Sequence, residues 1–185
     1  LNDRYTVREG LRDVMLYRHS PVLFAEKDTT AATVSFNFIL GDKNQITISD
    51  VSLNDTPQDK TFKTTFGDSI KVGNTVLSVI KPDWDASELT GKTIHYVHTP
   101  VKAMANVLSE RITAVLGNEK SSIIDISITC PSIDEADDIL ETLIQVYNER
   151  WIRDKNQIAV STSRFISERL GVIEKELGNV DSDIS

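Results

Sequence analysis

The sequence predicts an α+β protein: a mixed α/β base layer, an inserted small antiparallel β-module and a long projecting C-terminal helix. Three observations carry that expectation. Runs such as "ATVSFNFIL" and "QITIS" alternate apolar and polar residues with the period of a half-buried strand. After Thr93 the order becomes strand, helix, strand, helix. From Ile133 to the last residue there is no proline, and the first glycine is Gly171.

The first segment, to about Lys27, reads as extended chain. "VMLYRHSPVLF" is rich in β-branched and aromatic residues, and Pro21 biases Ser20 towards an extended conformation. In "ATVSFNFIL", Val34, Phe36, Phe38 and Leu40 share one face. The loop "GDKN" leads to Ile46 and Ile48, so a hairpin is expected. "KTFKTTFGDSIKVGNTVLSVIKP" adds two or three short strands, with turn chemistry at Gly67-Asp68 and Gly73-Asn74. Together these form a small sandwich or partial barrel.

"KTIHYVHTP" is a further strand. Thr99 then offers an N-cap hydroxyl and Pro100 a first helical residue. Val101, Met104, Leu108, Ile112 and Val115 line one face of the expected helix, with Gly117 closing it. "SIIDISITC" follows as a strand with Ile124, Ile126, Ile128 and Cys130 on one side. Ser132 and Glu135 make an S-x-x-E capping box, and the acidic run to Asp138 suits the positive end of the helix dipole. The helix that starts there would reach roughly 75–80 Å if unbroken. Its weakest point is "DKNQIAVSTS", where polar residues interrupt the apolar stripe and a bend is expected.

Beyond that point Ile166, Leu170, Ile173, Leu177, Val180 and Ile184 follow one another at steps of four and three. This is a heptad seam, suited either to an intramolecular hairpin or to other subunits. Gly171 and Gly178 each cost about 1 kcal/mol relative to Ala, so packing along the seam must offset them.

Composition bounds the function. The 185 residues carry a net charge of −8, so a phosphate backbone would be repelled and no nucleic-acid partner is expected. Twelve acidic residues against six basic ones put most of that charge after Pro131. Cys130 is the sole cysteine, which excludes a disulfide framework. No run of about 18 apolar residues could span a bilayer. The abrupt start at "LNDRYTV" and stop at "SDIS" are those expected of a piece of a longer protein.

Four motifs resemble chemistry without completing it. "TGKT" at Thr90–Thr93 lacks the preceding P-loop glycine, Ala86 standing in its place, and reads as a turn. His95 and His98 point to opposite faces of a strand, which suits shared metal coordination poorly. The acidic "DEADD" is explained by helix capping, and Cys130 by a buried role beside Pro131. No catalytic, metal-binding or cofactor-binding residue is therefore assigned, and an enzyme is not expected.

Taken in order, three stretches resemble a known family. "YTVREGLRDVMLYRHSPV" resembles the early periplasmic segment of polysaccharide co-polymerases, the Wzz/Wzc/GumC chain-length determinants. "SSIIDISITCPSIDEADDILETLIQVYNERWIRDK" is similar to the strand and helix that follow, with Ala136, Ile139, Leu140, Leu143 and Tyr147 in the helix. "STSRFISERLGVIEKELGNVDSDIS" looks like the opening of the family's helical arm. The resemblance implies a base formed by 1–29 and 93–150, an inserted module at 30–92, and the start of an arm at 151–185. It implies the periplasmic domain of an inner-membrane protein that sets the length, or assists the export, of O-antigen, capsule or exopolysaccharide. Partners would be further copies of itself, the polymerase or export machinery, and the nascent glycan. Some members add a cytoplasmic tyrosine autokinase, absent from this chain. The arm residues named above would carry assembly. Two alternatives remain open: a periplasmic adaptor of an efflux or secretion system, and a glycan-binding β-module using Trp84.

Overall fold

The protein is described by a computed structural model covering residues 2–27, 31–117 and 122–183, the last eight of these by backbone alone. The class is α+β. In chain order the strands begin with β1 (Asp3–Glu9), β2 (Arg12–Met15), β3 (Leu23–Glu26), β4 (Val34–Leu40), β5 (Ile46–Leu53) and β6 (Thr56–Pro57). They continue with β7 (Phe62–Thr64), β8 (Ser69–Val72), β9 (Thr75–Ile80) and β10 (Thr93–His98). Helix α1 (Val101–Arg111), strands β11 (Ile112–Leu116) and β12 (Ile124–Ile128) and helix α2 (Ile133–Asp183) follow, and short 3-10 helices lie at Asp42–Asn44 and Ser87–Leu89. The chain divides into two compact units, Leu1–Asp137 and Asp138–Ser185.

In the first unit a seven-stranded sheet runs β2-β1-β10-β4-β5-β6, with β7 also paired to β5. A three-stranded sheet, β3-β9-β8, faces it, and β11 pairs with β12 alone. Alternation decides which side chains meet. Tyr5, Val7, Phe36, Phe38, Ile46, Ile48, Ile94 and Tyr96 turn inward from the large sheet, and Phe24, Ile70, Val72, Leu77 and Val79 from the small one. Phe24 is the link between layers: its ring lies 4.9 Å from those of Phe36 and Tyr96 and 5.2 Å from that of Phe38. Its backbone N–H also donates to the Tyr5 hydroxyl at 2.8 Å. The strands expected of a base, β1 and β10, therefore share one sheet and one core with those expected of an inserted module, β4 and β5.

The expected hairpin at "GDKN" is present, with Gly41 N–H donating to the Gln45 carbonyl at 2.8 Å. The stretch 62–80 forms three strands, and Gly73 turns the β8–β9 hairpin at φ +61°, where a side chain is strained.

Several expectations are corrected after Thr93. The helix does not continue to Val115. It stops at Arg111, and Ile112, Thr113 and Val115 pass into β11. These β-branched residues lose side-chain freedom in a helix, and β12 offers matching partners: Ile112 opposite Ile128, Ala114 opposite Ile126, Leu116 opposite Ile124. Pro100 is the N-cap, extended at φ −55°, ψ 144°, rather than the first helical residue. Thr99 does not cap, and its N–H instead donates to the Asn2 carbonyl at 2.8 Å, prolonging the β1–β10 ladder. Strand β12 ends at Ile128, so Cys130 lies beyond it and is half-buried rather than part of a buried strand face.

Helix α2 starts where the capping box places it. Ser132 Oγ accepts from the Glu135 N–H at 3.4 Å. The reciprocal arm is replaced, because the Glu135 carboxylate sits 3.9 Å from Arg4 Nη2 in β1. In the second unit α2 is continuous helix through 154–163, the stretch where a bend is expected. Its propensity there is ordinary, and Gln145 to Glu149 and Lys155 over Trp151 add contacts one turn apart.

Candidate functional site

On α2, the seam residues Ile166, Leu170 and Ile173 are each about half exposed, at 51%, 54% and 44%. Leu177 and Val180 lie in the helical backbone with side chains beyond those described, and Ile184 lies outside the described residues. The helix carries a second apolar stripe that the seam reading missed. Ile144, Trp151, Ile158, Phe165 and Val172 recur every seven residues and are all exposed. Four of them immediately precede Ile152, Ala159, Ile166 and Ile173, so the two stripes stand about 100° apart around the helix. The signal was present in the sequence, but Asp154 and Lys155 interrupt it locally.

Within the sandwich lies a buried polar cluster. The Tyr96 hydroxyl donates to Asp3 Oδ1 at 2.6 Å, and His98 Nδ1 lies 2.8 Å from the same oxygen. His98 Nε2 is 3.4 Å from Glu26 Oε2. The Asp3 hydrogen bond holds the His98 imidazolium above the ordinary histidine range, with burial opposing and the Asp3 and Glu26 charges assisting. Burial, followed by the Asp3 charge, likewise raises the Tyr96 phenol far above its usual value. This cluster ties β1, β3 and β10 together around His98, which is 1% exposed.

The outer face of the large sheet is polar. Thr6, His95 and Asn37 stand in one cross-strand row, and Arg8 lies beside Asp13. With Thr93 they line a cleft of about 440 Å³. Asn37 Nδ2 donates to Asp50 Oδ2 at 2.9 Å, while His95 Nδ1 is 2.9 Å from Asn37 Oδ1. Asp50 sits at φ +52°, beside the register shift where β4 and β5 part from regular pairing. A second, mostly apolar groove of about 630 Å³ runs along Thr33, Pro100, Val101 and Asn106 at the start of α1.

The remaining motifs fall as follows. "TGKT" is a turn: Gly91 N–H donates to the Leu40 carbonyl, and Thr93 opens β10. Lys92 reaches Glu9 at 3.6 Å. His95 and His98 do face opposite sides of β10, the first exposed and the second buried. Burial raises the Cys130 thiol, with Glu135 adding to the effect and Arg111 and Arg4 opposing it, which does not favour a nucleophile. Trp84 is half-buried, its indole N–H donating to the Ser20 carbonyl at 3.2 Å, so its edge is committed to the fold. Among the described residues no three side chains converge as a metal site, and no helix is long and apolar enough to cross a membrane.

No family model matches this chain, and no curated protein matches it.

Proposed function

We propose that this chain is the periplasmic assembly domain of a polysaccharide co-polymerase, acting by self-association rather than catalysis. The observation that carries the reading is the exposed heptad seam of α2, with Ile166, Leu170 and Ile173 turned to solvent on a helix that runs from Ile133 to Asp183. Half-exposed isoleucine and leucine at heptad spacing gain about 1.5–3 kcal/mol each when a neighbouring helix covers them fully, and less from this starting exposure. The order of the three stretches that resemble chain-length determinants supports the same assignment. In this role the sandwich is a rigid platform at the membrane face, and the helix is the element that counts and spaces neighbouring copies. Partners are further copies of the chain, the polymerase or export machinery, and the glycan being extended.

The test is Leu170→Asp with Leu177→Asp in the full-length membrane protein. The expected result is an altered polymer length distribution or impaired secretion, together with loss of the assembled form. Normal polymer from a normally assembled double variant would remove the reading.

A further inference from the structure

We infer that the polar cleft on the outer face of the large sheet is a binding site for a neutral oligosaccharide segment. The choice of a glycan as ligand class rests on the assembly reading above; the site itself rests on geometry. Its six lining residues, Thr6, Arg8, Asp13, Asn37, Thr93 and His95, all carry hydrogen-bonding side chains and come from β1, β2, β4 and β10. Arg8 offers donors only, Asp13 acceptors only, the threonines and Asn37 both kinds, and His95 its Nε2. Adjacent hydroxyls on a sugar ring present the same alternation of donor and acceptor. The formal charges of Arg8 and Asp13 balance across the β1–β2 ladder, and Lys92 is paired with Glu9 nearby. Such a surface selects a polyhydroxylated ligand over a polyanion.

The decisive feature is preorganisation. A carboxylate only accepts, so Asp50 Oδ2 obliges Asn37 to present its NH2 group to it. Ser49 Oγ donates to the same oxygen at 3.2 Å and holds it in place. The Asn37 carbonyl oxygen must then face His95, whose Nδ1 carries the proton in their 2.9 Å contact. In the neutral imidazole that leaves Nε2 as an acceptor in the cleft. Asp50 adopts the left-handed conformation that aspartate tolerates at the bulge between β4 and β5, and from there it fixes the orientation of Asn37 and, through it, of His95 on an exposed face. Polar groups held in one arrangement before a ligand arrives are what a binding surface requires. The absence of an aromatic platform among the lining residues makes the site weak, in the millimolar range expected of a shallow polar contact.

The test is a titration of the chain with three neutral hexasaccharides, built from glucose, galactose and mannose, followed through backbone amide shifts. A hexauronate of the same length is the charged comparison. At least one neutral probe should shift amides of Thr6, Arg8, Asn37, Thr93 and His95 saturably, and more strongly than the hexauronate does. Arg8→Ala with His95→Ala, both exposed, should weaken that binding at least about tenfold. Asp50→Gly should weaken it as well while leaving the thermal midpoint equal or higher, since glycine accepts the positive φ. Silence with all three neutral probes, stronger binding of the hexauronate, or unchanged affinity in the double variant would overturn the inference. Failure here and failure of the assembly reading are separable. A silent cleft with assembly still sensitive to the arm removes only the cleft. Saccharide binding with an arm that tolerates aspartate removes only the assembly.

Discussion

Replacing His98 with glutamine keeps a hydrogen-bonding group of similar size between Asp3 and Glu26 but removes its charge. In the native protein the imidazole is 1% exposed, 2.8 Å from Asp3 and 3.4 Å from Glu26. A hydrogen bond to a charged group contributes about 1.5–3 kcal/mol. The Asp3 and Glu26 side chains are 30% and 15% exposed and partly rehydrate when the cation is lost, which favours the lower end of that range. The expected loss is therefore about 2 kcal/mol at pH 6. Its pH dependence has a definite sign. The folded pKa of His98 is raised above the unfolded value of about 6.5. The contribution is thus complete below about pH 6.5 and is lost as pH rises through the folded pKa, at no more than about 1.4 kcal/mol per pH unit. Urea denaturation of both proteins from pH 5.5 to 9 measures the difference. Stopping at pH 9 keeps out Tyr5 and Tyr96, whose burial holds them neutral in the fold while they ionise near 10 in the unfolded chain. The Cys130 thiol titrates in both proteins and cancels. Curves that stay parallel, or diverge as pH rises, would refute the reasoning.

Phe24→Ala should cost about 3–5 kcal/mol, because it empties the contact between the two sheets; a denaturation midpoint within error of wild type would contradict that core. Gly73→Ala should cost about 1–2 kcal/mol, since φ +61° is unfavourable for alanine and its Cβ would lie 2.7 Å from Leu53 Cδ2. Gly171→Ala should do the opposite. Nothing lies within 4 Å of the added Cβ, so helix stability rises by up to about 1 kcal/mol, read as a higher melting temperature of the helical circular dichroism signal. Sedimentation of the chain at rising concentration should show association that Ile166→Asp with Leu170→Asp abolishes; equal sedimentation of the two would separate the seam from assembly.

Features set by near neighbours were legible in the sequence. The alternation of Val34, Phe36 and Phe38 gave the buried face of β4, and Ser132 with Glu135 marked the start of α2 to the residue. Features set by distant partners were not. The stretch Ile112–Leu116 fits a helical stripe and a strand equally well until Ile124, Ile126 and Ile128 are placed opposite it. His98 looked like any strand histidine because its partners, Asp3 and Glu26, come from strands far away in the chain. The candidate cleft was hidden for a related reason. Thr6, Asn37 and His95 share a row only once β1, β10 and β4 are neighbours, and the orientation of Asn37 depends on a bulge at Asp50 that has no sequence signature. The second stripe on α2 lies between these extremes. Its residues are five large apolar side chains at constant spacing, masked by the charged pair at Asp154 and Lys155.

The pairing of β1 with β10 has a consequence for how the protein is made. Asp3 lies opposite His98, and about 90 residues separate the two strands in the chain, a separation typical of slow, non-local folding. During synthesis the β1–β2 hairpin emerges before the other strands of the large sheet, with Tyr5 and Val7 uncovered and one edge of β1 unpaired. Strand β4 follows and pairs with β5, but β10 must enter between β1 and β4 before either gains its second native neighbour. The large sheet therefore closes last at its centre rather than at its rim. Until that closure, a vacant strand position flanked by apolar side chains is open to any extended segment, including the β10 of another nascent chain. Yield should therefore depend more on how quickly Thr93–His98 is delivered than on the stability of the finished sandwich.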